Sequence, residues 1–249
     1  MKDLIIIGSG PAGLAAALTA RQHGLDCLVL ERGVIADTVY HYPLCKPLFS
    51  TSNEIELEPG TLPREHKPTR EQVLDHYIGL AVRERIPIRT GEEALAITPE
   101  SEGLLVHTDK EDYWARAVLA ATGGFGRQRK LNVPGETPER VSYRFVEAYP
   151  YALKRITVVG GGNSAAEAAL FLTEVGADVT LSLRSPSLDH PSRSSGKPKI
   201  KSWVREPLER AARAGNLQIL TSSEIVGIGP HTVSLRIASG PSDELVELA

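Results

Sequence analysis

The sequence predicts an α/β fold built on two copies of one βαβ unit, and three observations carry that prediction. The stretch "LIIIGSGPAGLAAAL" at residues 4–18 places a glycine-rich turn between an apolar β-branched run and an Ala/Leu-rich segment. The stretch "ITVVGGGNSAAEAAL" at 156–170 repeats that arrangement. Each is followed at similar spacing by a second apolar run, "DCLVLE" (26–31) and "ADVTLSLR" (177–184). An internal repeat of this kind points to two similar domains within 249 residues.

In chain order, residues 3–7 read as a buried parallel strand ended by Gly8. Pro11 to about Gln22 reads as a helix with Gly24 at its C-terminal end, and 26–31 as the returning strand. The crossover is right-handed. Residues 33–67 carry no periodicity and are rich in Pro, Ser, Thr and His. Helix periodicity resumes over 69–85, where Thr69 and Gln72 fit a capping box. Short alternating runs up to residue 122 suggest a strand meander. The Gly/Pro/charge-rich segment 123–139 reads as a linker, with domains expected at 1–137 and 138–249. In the second domain a strand, a helix at 163–175 and a strand at 177–184 precede a Ser/Pro/basic loop at 184–201. That loop is either a solvated linker or part of a ligand site. A helix closing at Gly215 and strands at "LQILTS" and "TVSLRI" follow.

Composition narrows the function. With 41% hydrophobic and 24% charged residues the chain is globular, and a net charge of -3 argues against a nucleic-acid footprint. No apolar run spans a bilayer, and no basic region precedes the N-terminal apolar run as a signal peptide requires. Cys27 and Cys45, the two cysteines, form no disulfide framework and suit a reducing, cytoplasmic setting. Seven scattered histidines show no metal-ligand spacing, and no nucleophile or Walker motif occurs. Trp114 and Trp203 read as packing residues.

The glycine turns carry the chemistry. Gly8, Gly10 and Gly13 give G-x-G-x-x-G between strand and helix. The first allows a tight turn, the second lets a pyrophosphate approach the backbone, and the third permits close helix–strand packing. Glu31, eighteen positions after Gly13, stands where a carboxylate accepts from a ribose. Gly160, Gly162 and Ala165 form the G-x-G-x-x-A variant, and here the residue at the strand end is Arg184. An arginine there favours a 2′-phosphate, hence NADP over NAD; otherwise Arg184 simply begins the loop. Two different terminal residues imply two different nucleotides, a resident dinucleotide and an exchangeable pyridine nucleotide.

"GSGPAG…ER", "LAATGG", "NVPGE" and "VVGGGNSAAEAAL" together resemble the flavoprotein oxidoreductases with two dinucleotide folds, the class of low-molecular-weight thioredoxin reductase. Within it, "HYPLCKPLFSTS", "KPTREQVLDHY", "EAYPY" and "KPKIKSW" look most like YpdA-type bacillithiol disulfide reductases. The resemblance implies FAD over Gly8, Gly10, Pro11, Ala12 and Gly13, with Glu31 and Arg32 at the adenosine end. Tyr42, Ser50 and Thr51 would come near the isoalloxazine, and Thr122 and Gly123 would line the entrance. NADPH would take Gly160, Gly162, Asn163, Ser164 and Ala165, with Arg184 at the 2′-phosphate. The implied chemistry is hydride transfer from NADPH to flavin and then to a disulfide, of a small molecule or small protein, in a homo-oligomer.

The sequence departs from that family in four ways. It has no C-x-x-C, Cys45 stands alone, Ala12 replaces a cysteine found in relatives, and no G-D-like return motif follows "DELVELA". The last departure leaves either a fragment or a partly built FAD site as the expectation. Cys45, with Lys46 and His41 nearby, is the candidate for a mixed disulfide, the alternative being an unreactive loop cysteine. Cys27 reads as core. Other expectations kept open are a ferredoxin or flavodoxin reductase, an NADPH-dependent monooxygenase, and a non-catalytic nucleotide-binding protein.

Overall fold

A computed structural model describes residues 1–125, 129–192, 195–238 and 243–248. The chain divides into two compact units, Met1–Gln128 and Arg129–Ala249.

The first unit is organised by a sheet whose centre is β1 (Lys2–Ile7). Helix α1 (Pro11–Gln22) leads to β2 (Cys27–Glu31), parallel to β1 with Ile5 opposite Leu28 and Ile6 opposite Val29. Two short helices interrupt the irregular excursion that follows, α2 (Asp37–Tyr40) and α3 (Ser52–Ile55). Neither has enough residues to show a period, which is why the sequence reads as featureless there. Helix α4 (Arg70–Arg83) starts with the expected capping box: Thr69 Oγ1 accepts from Gln72 N–H while Gln72 Oε1 accepts from Thr69 N–H. Strands β3 (Ile88–Thr90), β4 (Ala94–Glu100), β5 (Gly103–Thr108) and β6 (Asp112–Ala120) complete the order β3-β2-β1-β6-β5-β4. β6 runs parallel to β1 and antiparallel to β5, so one strand joins the parallel sheet to the meander.

Alternation along β1 and β2 gives the two faces of the sheet different partners. Ile6, Cys27 and Val29 pack with Leu14 and Ala17 of α1 and with Val73, Leu74 and Tyr77 of α4. Ile5, Leu28 and Leu30 pack with Val106 and Ala115 of the meander. Tyr77 is buried and donates its hydroxyl to Ile55 O at 2.8 Å, and burial raises its pKa to about 12.

The second unit repeats the theme. Strands β7 (Arg155–Val159), β8 (Asp178–Ser182) and β9 (Leu217–Leu220) form a parallel sheet in that order. Helix α5 (Asn163–Glu174) lies between β7 and β8, and α6 (Ser202–Arg213) between β8 and β9. Strands β10 (Ser223–Ile228), β11 (Val233–Ala238) and β12 (Asp243–Leu248) make an antiparallel sheet. Ser182 and Ser223 share a 2.8 Å hydrogen bond in a buried position, joining the end of β8 to the start of β10.

Several expectations change. β8 ends at Ser182, so Arg184 lies two residues past the strand; Leu183 N–H turns to Leu220 O instead. α6 begins before Pro207 and contains it, because Val204 and Leu208 are buried four residues apart and hold the first turn in place. β10 and β12 are strands the sequence did not single out; in β12, which pairs with β11, Leu245 is exposed, as on an edge. Trp114 and Trp203, read as packing residues, are 42% and 52% exposed. Residues 129–139 are not a free linker. Leu131 N–H donates to the Tyr143 hydroxyl, Asn132 N–H to Glu136 Oε2, and Ile228 N–H to Pro134 O. Residues 126–128 of the expected linker lie outside the described residues. Among the described residues no helix is long and apolar enough to cross a membrane.

Candidate functional site

The first glycine turn is built as its spacing requires. Gly8 has φ +105°, and a Cβ there would come within 2.4 Å of Ala121 O. A Cβ on Gly13 would stand 1.9 Å from Gly8 O, so only glycine lets α1 pass this close to the end of β1. Gly10, the residue before α1, is extended and faces nothing within 4 Å. Pro11 and Ala12 open the helix, where Pro fits the first turn. Thr122 borders Gly8, and Gly123 has φ +68° and is exposed.

Glu31 does more than stand at the strand end. It is buried, its Oε2 accepts from Ser9 N–H and Ser9 Oγ at 2.9 Å each, and its Oε1 accepts from Gly33 N–H at 2.8 Å. A carboxylate has about four acceptor positions. Three are taken by the chain, so Glu31 braces the turn and keeps part of its capacity for a ribose hydroxyl. Ser9, which sequence reasoning passed over, is fully buried. A hydroxyl between two glycines, ahead of an acid, was the available signal. Arg32 is half exposed, 3.8 Å from Glu93.

The second turn has the same outline with different bracing. Gly160 has φ +144°, and a Cβ there would press on the Ala165 Cβ at 3.0 Å, so the turn favours glycine at this position. Gly162 precedes α5, is extended, and faces nothing within 4 Å; Ser164 follows in the first helical turn. Gly161 comes against Ser185 Oγ, at 3.1 Å from its would-be Cβ. Asn163 Oδ1 accepts from Lys201 N–H at 2.8 Å. Arg184 is exposed and makes no hydrogen bond or ion pair among the described residues.

Both turns therefore fit a dinucleotide phosphate. Each leads into a helix N-terminus with no side-chain cap, and at each a Cβ on the second glycine would fill open space. A cavity of about 370 Å³ elsewhere in the first unit is lined by Thr51, Ser52, Asn53, Arg64 and Lys67 among others, and by no residue of either turn. Thr51 there caps α3, its N–H and hydroxyl both donating to Glu54 Oε2. Ser50 is half-buried, and Tyr42 packs on the first core with the Lys46 ammonium 4.9 Å from its ring centre.

The cysteines differ in kind. Cys27 is buried, and burial pushes its thiol pKa up. Cys45 is exposed with φ 57°, and its N–H donates to Glu71 Oε1 at 3.1 Å. Burial would raise the Glu71 carboxyl, but hydrogen bonds from Cys45 N–H and Arg70 outweigh it and hold the group below the usual carboxylate value. The expected cationic neighbours face elsewhere. Lys46 is buried over the rings of Tyr42 and Phe49, and His41 pairs with Asp37.

Residues 5–246 match the pyridine nucleotide-disulphide oxidoreductase family. The chain belongs to that family. Bacilliredoxin reductase Bdr of Bacillus subtilis (strain 168) is 32% identical over 232 residues, covering 89% of this chain and 69% of that protein. A thioredoxin reductase of Mycolicibacterium smegmatis is 34% identical, covering 94% of this chain and 68% of the relative. The solved bacillithiol disulfide reductase Bdr (YpdA) from Bacillus cereus superposes with a TM-score of 0.88 at 32% identity, over 99% of this chain and 74% of that one. Membership makes the protein an FAD- and NADPH-dependent oxidoreductase.

Proposed function

We propose that the protein is an NADPH-dependent reductase of a low-molecular-weight disulfide, of the bacillithiol disulfide type. The observation that carries this reading is the pair of open glycine turns with unlike residues after them, buried Glu31 at the end of β2 and exposed Arg184 just past β8. The likeness to bacillithiol disulfide and bacilliredoxin reductases supports the acceptor class.

In this reading the first unit holds FAD. Gly8, Gly10, Pro11, Ala12 and Gly13 receive the pyrophosphate, Glu31 and Arg32 stand at the adenosine, and Thr122 and Gly123 border the turn. Tyr42, Ser50 and Thr51 belong to the flavin side. The second unit holds NADPH on Gly160, Gly162, Asn163, Ser164 and Ala165, with Arg184 at the 2′-phosphate. Bound FAD supplies a two-electron relay between pyridine nucleotide and acceptor. The overall balance is NADPH, one proton and one disulfide going to NADP⁺ and two thiols. This chain's residues bind and orient; a buried Cys27 and an isolated Cys45 provide no dithiol relay. The protein works as a cytoplasmic homo-oligomer in this reading.

The test is an anaerobic titration of the FAD-loaded protein. NADPH is expected to bleach the visible flavin band, and bacillithiol disulfide to restore it. Bleaching that only dioxygen or a ferredoxin reverses would replace the disulfide by that acceptor. Arg184→Ala is expected to weaken NADPH binding about tenfold and NADH binding little; equal losses would remove Arg184 from the 2′-phosphate.

A further inference from the structure

The turn at residues 57–61, between α3 and α4, is held in place almost entirely by one side chain. Among the described residues no backbone–backbone hydrogen bond involves residues 57–62. The ends of the turn rest on the first core through Ile55, Leu57 and the buried Leu62, while Pro59, Gly60 and Thr61 in its middle are exposed. His76 of α4, itself buried, closes the span. Its Nε2 accepts from Leu57 N–H at 2.9 Å, and its Nδ1 lies 2.8 Å from Thr61 Oγ1. Thr61 Oγ1 donates to Glu58 O at 2.7 Å, so the proton between Thr61 and the ring belongs to Nδ1. One neutral ring thus grips both ends of the turn. The ion pair of Glu58 with Arg83 also reaches α4, but both partners are half exposed and it holds little.

Protonation of His76 defeats that grip. Nε2 would carry a hydrogen aimed at a second donor, and Leu57 N–H would lose its acceptor. The charged groups round the ring are Glu56 and Glu58 on the turn and Asp75 and Arg83 on α4. Glu56 is engaged with Arg64 and with Gly60 N–H, and Glu58 with Arg83, so neither serves the ring while the turn is closed. Displacing the turn restores water to the imidazolium and leaves both carboxylates near it. The turn is also a wall. Thr61 and His76 line a cavity of about 430 Å³ together with Pro63, Gln72, Asp75 and Arg83.

We propose that His76 is the catch of an acid-opened turn, whose protonation releases residues 57–61 from α4 and uncovers this cavity while the core stays folded. The sign follows from burial, which disfavours the charged ring in the closed turn. Opening therefore takes up a proton and grows as pH falls below the ordinary histidine value of 6.5. The device lies within the first unit and does not depend on which nucleotide either glycine turn takes.

The test is amide exchange on the full chain with FAD supplied, expressed as protection relative to the intrinsic rate at each pH. Leu57 protection is expected to fall by up to about tenfold between pH 6.5 and 5.5, the limit for one proton taken up per opening. Val73, whose N–H donates to Thr69 O in α4, is expected to keep its protection. His76→Gln retains an acceptor for Leu57 and a donor for Thr61 but takes up no proton, so its Leu57 protection is expected to stay flat. The carbon resonances of the wild-type His76 ring are expected to titrate together with the Leu57 opening, and they decide the matter should His76→Gln fail to fold. Equal falls at Leu57 and Val73, a flat Leu57 in the wild type, a fall that persists in His76→Gln, or a ring that stays neutral while Leu57 opens would each overturn the proposal.

Discussion

The two glycine turns share a sequence pattern and differ in what holds them. At the first, a buried acid accepts three hydrogen bonds from the turn and its flank, and the third glycine passes so close to Gly8 that no side chain fits. At the second, an alanine occupies the equivalent place, the residue past the strand is an exposed arginine, and the tie is an amide reaching the next helix. The same local geometry is thus closed by an internal brace in one unit and tied to the residue before the next helix in the other. The first arrangement suits a ligand that stays, the second one that exchanges.

The comparison is broken most severely at Gly13. Gly13→Ala drives a Cβ into the Gly8 carbonyl, a backbone atom with no rotamer to escape into. The expected cost exceeds about 3 kcal/mol, with loss of FAD, read by urea denaturation and by the visible spectrum. Next is Glu31→Ala, which leaves the Ser9 N–H, the Ser9 hydroxyl and the Gly33 N–H without their acceptor. A loss of about 2–3 kcal/mol and weaker FAD binding are expected; a neutral result would show the brace to be dispensable. Ala165→Gly is the mild counterpart of Gly13→Ala. It costs about 1 kcal/mol of helix propensity and leaves ADP binding within about threefold.

The smallest effect at neutral pH concerns His76, buried in the first unit alone. Its Nε2 accepts from Leu57 N–H at 2.9 Å, and its Nδ1 lies 2.8 Å from Thr61 Oγ1, which itself donates to Glu58 O. That network assigns the proton to Nδ1 and a neutral ring. Burial lowers the pKa below the ordinary 6.5, against the opposing pull of Glu56 and Glu58. The unfolded chain therefore binds this proton more readily than the native one. Stability contributed by neutral His76 is present above pH 6.5 and declines as pH falls below it towards the lowered native value. The difference between wild type and His76→Gln in urea midpoints is expected to shift between pH 7.5 and 5.5; a constant difference would show that His76 does not titrate with unfolding.

Both βαβ units were legible because their signals are local: apolar runs, glycines at fixed spacing, a capping box at Thr69. The boundaries of α1 and α4 follow from Pro11 and from that box. What escaped depends on partners distant in sequence. Ser9 acquires its role from Glu31, and Asn163 from Lys201. β10 and β12 are defined by pairing with β11, and Pro207 is carried inside α6 by the burial of Val204 and Leu208. The tryptophans read as packing residues, and their positions leave each about half exposed. For the second turn, the basic residues were visible as composition, while the bond that brings Lys201 to it was not.

The wall behind Gly8 has a consequence for how the protein is made. The atoms that confine Gly8 belong to Ala121 and Thr122, delivered when β6 settles beside β1 and Ala121 N–H donates to Ile7 O. The first cradle is thus begun at β1 and finished only after the whole of the later meander has emerged. The second is confined by Ala165, Ser182 O and Ser185, all within one short βαβ segment. Loop closure is the slower step for the earlier motif. A nascent chain can therefore confine the glycines of the second turn within one βαβ segment, while those of the first wait on a long-range closure.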